Sequence, residues 1–264
     1  MEGSLIESAI LGIVQGITEF FPVSSTAHLI LVPWFFGWSG IIDTLSFDVA
    51  LHGGTLFAIL IFFYKDWINI IFKKQKMLLL LIIASIPGGA AGFFLDDIVE
   101  TTLRSPYIII ASLIVIGVFM VITEKVGKKN ETSDDITVRD ALLIGISQAV
   151  AIIPGVSRSG ITISCGLLLG LKREEAARFS FLMSAPIIGG AFALHLIKIL
   201  SDHSQADFNI SMFTVGIIAS CVTGILAIKV LLDFFKKYEL YIFVYYRFAL
   251  AGIIAMVMLT RGSL

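Results

Sequence analysis

Charged residues are scarce in this chain of 264 residues, at 15% of the total, whereas a typical soluble domain has about 25%. Hydrophobic residues make up 57%, and the mean hydropathy is +0.96. This composition excludes an ordinary soluble globular protein. The sequence also lacks an excess of charge of one sign, because its formal net charge is −1. Without a basic surface, we expect no nucleic-acid partner.

Cysteine is equally scarce, since Cys165 and Cys221 lie in apolar stretches without metal-ligand spacing. The sequence therefore excludes a disulfide framework and predicts no zinc site. Basic residues are missing before the first apolar stretch, which is unlike a cleaved signal peptide. We expect the start of the chain to belong to the mature fold.

Long apolar runs, in contrast, are abundant. Six of them reach or approach the roughly 20 residues that a helix needs to cross a bilayer. These predicted spans are residues 45–64, 77–95, 106–123, 178–200, 211–233 and 240–260.

Two further apolar stretches, 5–36 and 140–171, are each interrupted by a proline, at Pro22 and Pro154. Each stretch predicts a re-entrant hairpin, which is a helical pair that enters the membrane and turns back. The predicted fold is therefore an all-α integral membrane protein with six transmembrane helices and two re-entrant helical hairpins.

The loops differ in lysine and arginine content, which predicts their side of the membrane. Loops 65–76, 124–139 and 234–239 carry several basic residues each, so we place them on the inner side. Loop 96–105 has a single arginine among acidic residues and loop 201–210 has no lysine or arginine, so both are placed outside. The chain then has its first hairpin on the outer side and its second on the inner side.

Two pairs of matching segments indicate an internal repeat. The sequence GIVQ at 12–15 matches GISQ at 145–148, and FPVSS at 21–25 resembles IPGVS at 153–157. With the loop assignment, the copies have opposite orientations in the membrane. We therefore predict an inverted-topology repeat of residues 1–126 and 139–264, joined by a cytoplasmic linker at 127–138.

Such repeats place a functional site near the bilayer midplane, between broken helices. Polar residues concentrate around both breaks, where unpaired backbone groups require a polar pocket. Around the first break, Gln15 and Glu19 share a helix face because they are four residues apart, and Ser25 and His28 follow at a spacing of three.

The second break is followed by a positive charge and three hydroxyls, Ser157, Arg158, Ser159 and Thr162. A helix that begins at such a break presents free N–H groups and its positive dipole end to an anion. Arg158 is able to bind a phosphate through two hydrogen bonds. The sequence therefore predicts a phosphate-binding loop here.

A carboxylate opposite a phosphate requires a divalent cation between them, because both groups are anionic. We therefore predict Glu19 and Gln15 as oxygen ligands of Mg²⁺ or Ca²⁺, with His28 available for proton transfer or attack. The combination indicates metal-assisted phosphoryl transfer. The alternative is a structural ion pair between Glu19 and Arg158, which leaves the neighbouring hydroxyls unexplained.

Three more polar residues lie in predicted spans. Asp48 and His52 are four apart and either support the site or form a polar helix end. Arg247, in the last span, either pairs with a carboxylate or extends to the membrane interface, and we expect a structural role.

The two break motifs, together with the segment from Phe179 to Pro186, resemble the undecaprenyl-diphosphate phosphatase family of bacitracin-resistance type. The motifs are QGITEFFPVSSTAH at 15–28, PGVSRSGIT at 154–162 and FSFL at 179–182. The resemblance in length and span pattern extends over nearly the whole chain.

The resemblance implies hydrolysis of undecaprenyl diphosphate to undecaprenyl phosphate, which recycles the lipid carrier of cell-wall synthesis. It implies a prokaryotic cell membrane location with the active site facing outward, and Ser25, His28, Glu19 and Arg158 as catalytic candidates. The nucleophile stays open between Ser25, His28 and a metal-bound water. Relatives often have a second carboxylate where this chain has Gln15, which predicts weaker or different cation coordination.

The main alternative is a polyprenyl-phosphate flippase or transporter, because transporters share this architecture. Phosphate release distinguishes the two functions. The substrate and membrane lipids are the expected partners, and the sequence leaves a homodimer open.

Overall fold

The computed structural model describes residues 4–101, 103, 105–201 and 209–261. Over these residues the chain is all-helical, with eleven α-helices and two 3₁₀ turns, at Ile41–Asp43 and Ser133–Asp135. The helices are α1 Leu5–Thr18, α2 Ser25–Phe36, α3 Leu45–Phe62, α4 Tyr64–Phe72, α5 Gln75–Thr101, α6 Pro106–Val126, α7 Val138–Val150, α8 Arg158–Leu168, α9 Arg173–Ser201, α10 Ile210–Phe235 and α11 Tyr241–Arg261.

Six of the described helices, α3, α5, α6, α9, α10 and α11, are long and apolar enough to cross a membrane. Each overlaps one of the six predicted spans, so those predictions are confirmed. The protein is a multi-pass membrane protein.

The structure differs from the prediction in two of the connecting segments. The predicted loop 65–76 contains α4, which forms because Ile70 is 4% exposed in the core and Trp67 packs against the same core. The next helix, α5, continues to Thr101 and thus occupies much of the predicted loop 96–105. Arg104 and residues 202–208 lie outside the described residues, so the assignment of both loops to the outer side stays a prediction.

Both predicted breaks separate two short helices, and their geometry is closely similar. Ser24 and Ser157 cap α2 and α8, and both have a positive φ, of 77° and 72°. This conformation is uncommon and strained for a residue other than glycine. The sequence match paired Ser25 with Ser157, whereas the caps pair Ser24 with Ser157. Ser25 and Arg158 are therefore equivalent, as the first residues of their helices.

The helices that precede the breaks pack closely on spans of the opposite half. On α1, a Cβ atom added to Gly12 would lie 2.4 Å from the carbonyl oxygen of Gly216 in α10. On α7, a Cβ atom added to Gly145 would lie 2.4 Å from the carbonyl oxygen of Ala84 in α5. Glycine is required at both positions because the backbones touch. This packing brings the two breaks together in the interior of the bundle.

Candidate active site

The two breaks meet at the carboxylate of Glu19, which is 6% exposed. Its Oε1 atom accepts a hydrogen bond from Arg158 Nη2 at 2.7 Å. Its Oε2 atom accepts hydrogen bonds from Ser25 Oγ at 2.7 Å and from Gln15 Nε2 at 3.1 Å. One carboxylate thus joins the first residue of α2 to the first residue of α8.

The backbone explains how residues so far apart in sequence reach this carboxylate. Glu19 is the C-cap of α1, and its N–H donates to the carbonyl of Gln15 at 2.9 Å. The chain then turns back through Pro22 and the left-handed Ser24, so that Ser25 returns to the end of the helix that it has just left. The break therefore brings the hydroxyl of Ser25 into hydrogen-bond contact with the carboxylate of Glu19.

Arg158 is held at both ends of its guanidinium group. Besides the contact with Glu19, its Nη1 atom donates to the carbonyl oxygen of Ser180 in α9 at 3.1 Å. The hydroxyl of Ser180 lies 2.7 Å from that of Thr162. Ser180 belongs to the FSFL motif, but no pattern in the sequence pairs its carbonyl with Arg158, so its place in the site could not be predicted.

His52 of α3 also reaches the cluster. Its Nε2 atom lies 3.4 Å from Glu19 Oε2. Its Nδ1 atom lies 2.7 Å from the carbonyl oxygen of Asp48, and because a carbonyl only accepts, Nδ1 carries a proton. Of the two interpretations left open for His52, the structure favours support of the site.

These side chains line one end of a cavity of about 220 Å³. The polar end contains Glu19, Ser24, Ser25, His52, Ser157 and Arg158. The remaining walls come mainly from α5, α7 and α9 and are largely apolar. An ionic cluster in a cavity with largely apolar walls is suited to a ligand that has a charged head group and an apolar chain.

His28 lies elsewhere. Its Nδ1 atom is 2.7 Å from the carbonyl oxygen of Ser24, and its Nε2 atom is 2.6 Å from the hydroxyl of Tyr246 in α11. Its ring stacks on the Tyr246 ring with centroids 5.7 Å apart. His28 is not among the residues that line the cavity. Of the alternatives left open for the nucleophile, activation of Ser25 by His28 is not favoured by this geometry, because the two side chains contact different neighbours.

Two hydroxyls of the predicted phosphate loop are engaged inside the protein. Ser159 donates to the carbonyl of Phe21 at 3.1 Å and thus links the two breaks directly. Thr162 donates to the carbonyl of Arg158 at 2.7 Å. Neither residue lines the cavity, whereas Ser157 and Arg158 do. The geometry assigns Ser159 and Thr162 to holding the loop in shape.

The residues present fit a divalent cation that is shared with a phosphate. Within the described part of the chain, no group of three or more His, Cys, Asp or Glu side chains lies close enough to enclose a metal ion. Gln15, however, has a buried Oε1 atom without a hydrogen-bond partner, next to Glu19. Mg²⁺ commonly binds one or two carboxylates and completes its coordination with substrate phosphates and water. Glu19, Gln15 and the hydroxyl of Ser25 form a donor set of that type.

Arg247 is completely buried. Among the described residues, its hydrogen-bond partners are four carbonyl oxygens, those of Pro22, Ser112, Leu113 and Gly155, at 2.8–3.3 Å. Pro22 and Gly155 belong to the two breaks. A single guanidinium group therefore satisfies backbone groups that the breaks leave without helical partners. This arrangement favours the expected structural role, through partners other than the two kinds that were predicted.

Replacing Arg247 with methionine is expected to lower the free energy of unfolding by roughly 2–6 kcal/mol. Each buried carbonyl left without a donor costs roughly 1–3 kcal/mol, and the variant leaves two, those of Pro22 and Gly155, because the carbonyls of Ser112 and Leu113 keep their helical donors inside α6. Thermal unfolding in detergent measures the change, and Arg247→Lys, which keeps a charged donor, should lose less. An unfolding temperature that stays unchanged in Arg247→Met would contradict this role.

Comparison with known proteins identifies the family of this chain. Residues 8–253 match the family model described as bacitracin resistance protein BacA. The undecaprenyl-diphosphatase of Thermodesulfovibrio yellowstonii is 53% identical over 98% of this chain and 99% of its own length. A protein of the same name from Caldicellulosiruptor bescii is 46% identical over 97% of this chain and 98% of its own length. The chain therefore belongs to the family of the bacitracin resistance protein BacA.

Proposed function

We propose that this protein hydrolyses undecaprenyl diphosphate to undecaprenyl phosphate and inorganic phosphate. The observation that carries the proposal is the carboxylate of Glu19, hydrogen-bonded to both Ser25 and Arg158 in a cavity whose remaining walls are largely apolar. The base is thus within hydrogen-bond reach of both the nucleophile and the phosphate ligand. Relatives named undecaprenyl-diphosphatase support the substrate and do not favour the flippase alternative.

Ser25 is the proposed nucleophile. Its hydroxyl already donates to Glu19 Oε2 at 2.7 Å, the distance expected between a nucleophile and its general base. Glu19 takes the proton while Ser25 Oγ bonds to the terminal phosphorus and the bridging P–O bond breaks, which releases undecaprenyl phosphate. Glu19 then gives this proton to the departing undecaprenyl phosphate. Water attacks the phosphoserine and gives a proton to Glu19, the bond between phosphorus and Ser25 Oγ breaks, and the proton returns to Ser25 Oγ as inorganic phosphate leaves.

Arg158 is the proposed phosphate ligand. It pairs with Glu19 before substrate binds, and an incoming phosphate competes for the same guanidinium group. Transfer of Arg158 to the phosphate frees Glu19 Oε1 and leaves Oε2 on Ser25. The N-terminus of α8, capped by Ser157, adds its dipole on the same side.

His28 is proposed to position the first break rather than react. It ties the carbonyl of Ser24 to Tyr246, next to the nucleophile in sequence. Ser159 and Thr162 support the second break in the same way.

We propose Mg²⁺ or Ca²⁺ as the cofactor, held by Glu19 and Gln15 together with the substrate. When bound, the cation neutralises phosphate charge and polarises the P–O bonds. Because the protein supplies only one carboxylate, affinity for the cation should depend strongly on the presence of substrate.

We also propose how the two halves of the chain are arranged in the membrane. The two halves, 1–126 and 139–264, form an inverted repeat with re-entrant hairpins, and the active site faces the outer side of a prokaryotic cell membrane. The equivalent caps at Ser24 and Ser157 support the repeat. The reciprocal packing of α1 on α10 and of α7 on α5 supports it further. Lysine-rich loops support the orientation.

Release of inorganic phosphate from undecaprenyl diphosphate by the detergent-purified protein tests the proposal. We expect release with Mg²⁺ or Ca²⁺, and loss of release in excess chelator. Release that a chelator does not change would contradict the role of the cation alone. Folded protein that releases no phosphate under any condition would contradict the proposed function.

A second measurement identifies the nucleophile. Acid quenching during turnover of substrate labelled in the terminal phosphate should trap label on Ser25, detected by mass spectrometry of the peptides. Label on His28 would contradict the assignment, since the structure turns that ring toward Tyr246. Hydrolysis of the labelled substrate without label trapped on any peptide would favour direct attack by water.

A further inference from the structure

Beyond the Glu19–Arg158 cluster, the cavity has an apolar part between α5, α9 and the segment that follows α7. We call this part the apolar arm and define it by the lining residues Gly88, Gly92, Ile152 and Ile187. Gly92 belongs to the apolar span of α5, near its end at Leu95, and is exposed on the surface of the bundle. The arm therefore opens on the side of the bundle, within an apolar span.

The two glycines of the arm differ in the space around them. A Cβ atom added to Gly88 would lie 2.8 Å from Ile187 Cδ1 and 3.1 Å from Gln148 Nε2, whereas one added to Gly92 would have no neighbour within 4 Å. The arm is thus narrow at Gly88 and open one helical turn further along, at Gly92. Any side chain at position 92 would extend into this open space.

Gln148 of α7 gives an independent sign of a ligand. It lines the cavity and is 5% exposed, yet its Oε1 atom has no hydrogen-bond partner. Its Nε2 atom reaches only the carbonyl of Ala84, at 3.4 Å. A buried amide oxygen without a partner is unfavourable by itself. Rotation of this amide by half a turn exchanges the two atoms, so that an N–H donor takes the position of the unpartnered oxygen and the long contact with Ala84 is given up.

We infer that the apolar arm binds the prenyl chain at its phosphate end, and that Gln148 donates to an oxygen of the lipid-linked phosphate. This inference rests on the proposed function and relates each part of the cavity to a part of the substrate. The charged cluster holds the terminal phosphate, Gln148 lies beside the narrow part of the arm, and the open space at Gly92 accepts a methyl-branched isoprene unit. From there the chain passes directly into the bilayer.

Enlarging position 92 tests the arm. The series Gly92→Ala, Gly92→Val and Gly92→Leu should progressively lower kcat/KM for farnesyl diphosphate, by about tenfold or more for leucine, mainly through KM. A straight-chain dodecyl diphosphate, which is slimmer, should be affected less. Gly89→Leu is the matched control, because Gly89 is exposed on the same helix, has open space around it and does not line the cavity. Leucine favours helix more than glycine does, so both variants should fold.

The outcomes separate the two proposals. If wild-type protein and Gly89→Leu hydrolyse farnesyl diphosphate and Gly92→Leu matches them on both substrates, the arm does not hold the chain. Equal losses on branched and straight chains would overturn the role of Gly92 in fitting the branch. An unchanged KM in Gln148→Leu would overturn the contact of Gln148 with the lipid-linked phosphate. Wild-type protein that hydrolyses neither substrate nor undecaprenyl diphosphate would overturn the proposed function itself.

Discussion

Turnover of undecaprenyl diphosphate is expected to fall by about 10³-fold or more when Arg158 is replaced by alanine. Arginines that contact a transferring phosphoryl group contribute roughly 10³–10⁵ in rate, and among the described residues Arg158 is the one arginine that lines the cavity. KM should rise as well, because the same side chain binds the phosphate before reaction. Steady-state phosphate release at several substrate concentrations measures both changes.

Two further variants show whether the loss belongs to the site. Arg158→Lys keeps the charge but not the two-pronged geometry, so it should recover only part of the activity. Arg178→Ala removes an arginine that pairs with Asp66 outside this cavity, and should leave turnover close to that of the wild type. More than a tenth of wild-type activity in folded Arg158→Ala would contradict the assignment.

A purely structural account of the Glu19–Arg158 pair is weak on energetic grounds. Taking both charges out of water has a desolvation cost that often equals or exceeds their attraction, so a buried pair is weak evidence for stability. Arg247 shows what a structural arginine looks like in this protein, since all four of its partners are backbone carbonyls. Arg158, in contrast, is partly exposed in a cavity, and its partner Glu19 also accepts a hydrogen bond from the hydroxyl of Ser25.

The membrane spans could be predicted from the sequence because hydrocarbon imposes a length and a composition on each helix. The prediction of 106–123 and the observed helix Pro106–Val126 differ by only a few residues. The short helix Tyr64–Phe72 was missed, since one charged face and a lysine-rich neighbourhood are typical of loops as well. Tertiary packing of Ile70 decides that segment.

At the site, the spacing of residues in the sequence could predict side-chain contacts only within one helix. The contact of Gln15 with Glu19 follows from their separation of four residues. The direction of His28 does not follow from spacing, because it depends on Tyr246, 218 residues away in the chain. The partners of Arg247 could not be predicted either, because backbone carbonyls are present at every residue and produce no sequence pattern.

Replacing Glu19 with glutamine should lower kcat by about 10³-fold, within the range of 10²–10⁴ that general-base catalysis contributes. The amide has the same shape and still offers one oxygen to Arg158, so the protein should fold. It is unable to take the proton of Ser25, and it is a poorer cation ligand than a carboxylate. Metal stimulation should disappear in this variant.

The effect on substrate binding without the cation distinguishes Glu19 from Arg158. A carboxylate beside an incoming phosphate repels it, and Arg158 must leave Glu19 before it binds the phosphate. Removing the negative charge relieves both effects, so in excess chelator Glu19→Gln should bind undecaprenyl phosphate as tightly as wild type or more tightly, whereas Arg158→Ala should bind it more weakly. Glu7→Gln, in the exposed capping box of the same helix, is the control and should behave as wild type. A rise in KM with unchanged kcat in Glu19→Gln would show that this carboxylate serves only in binding and is not the base.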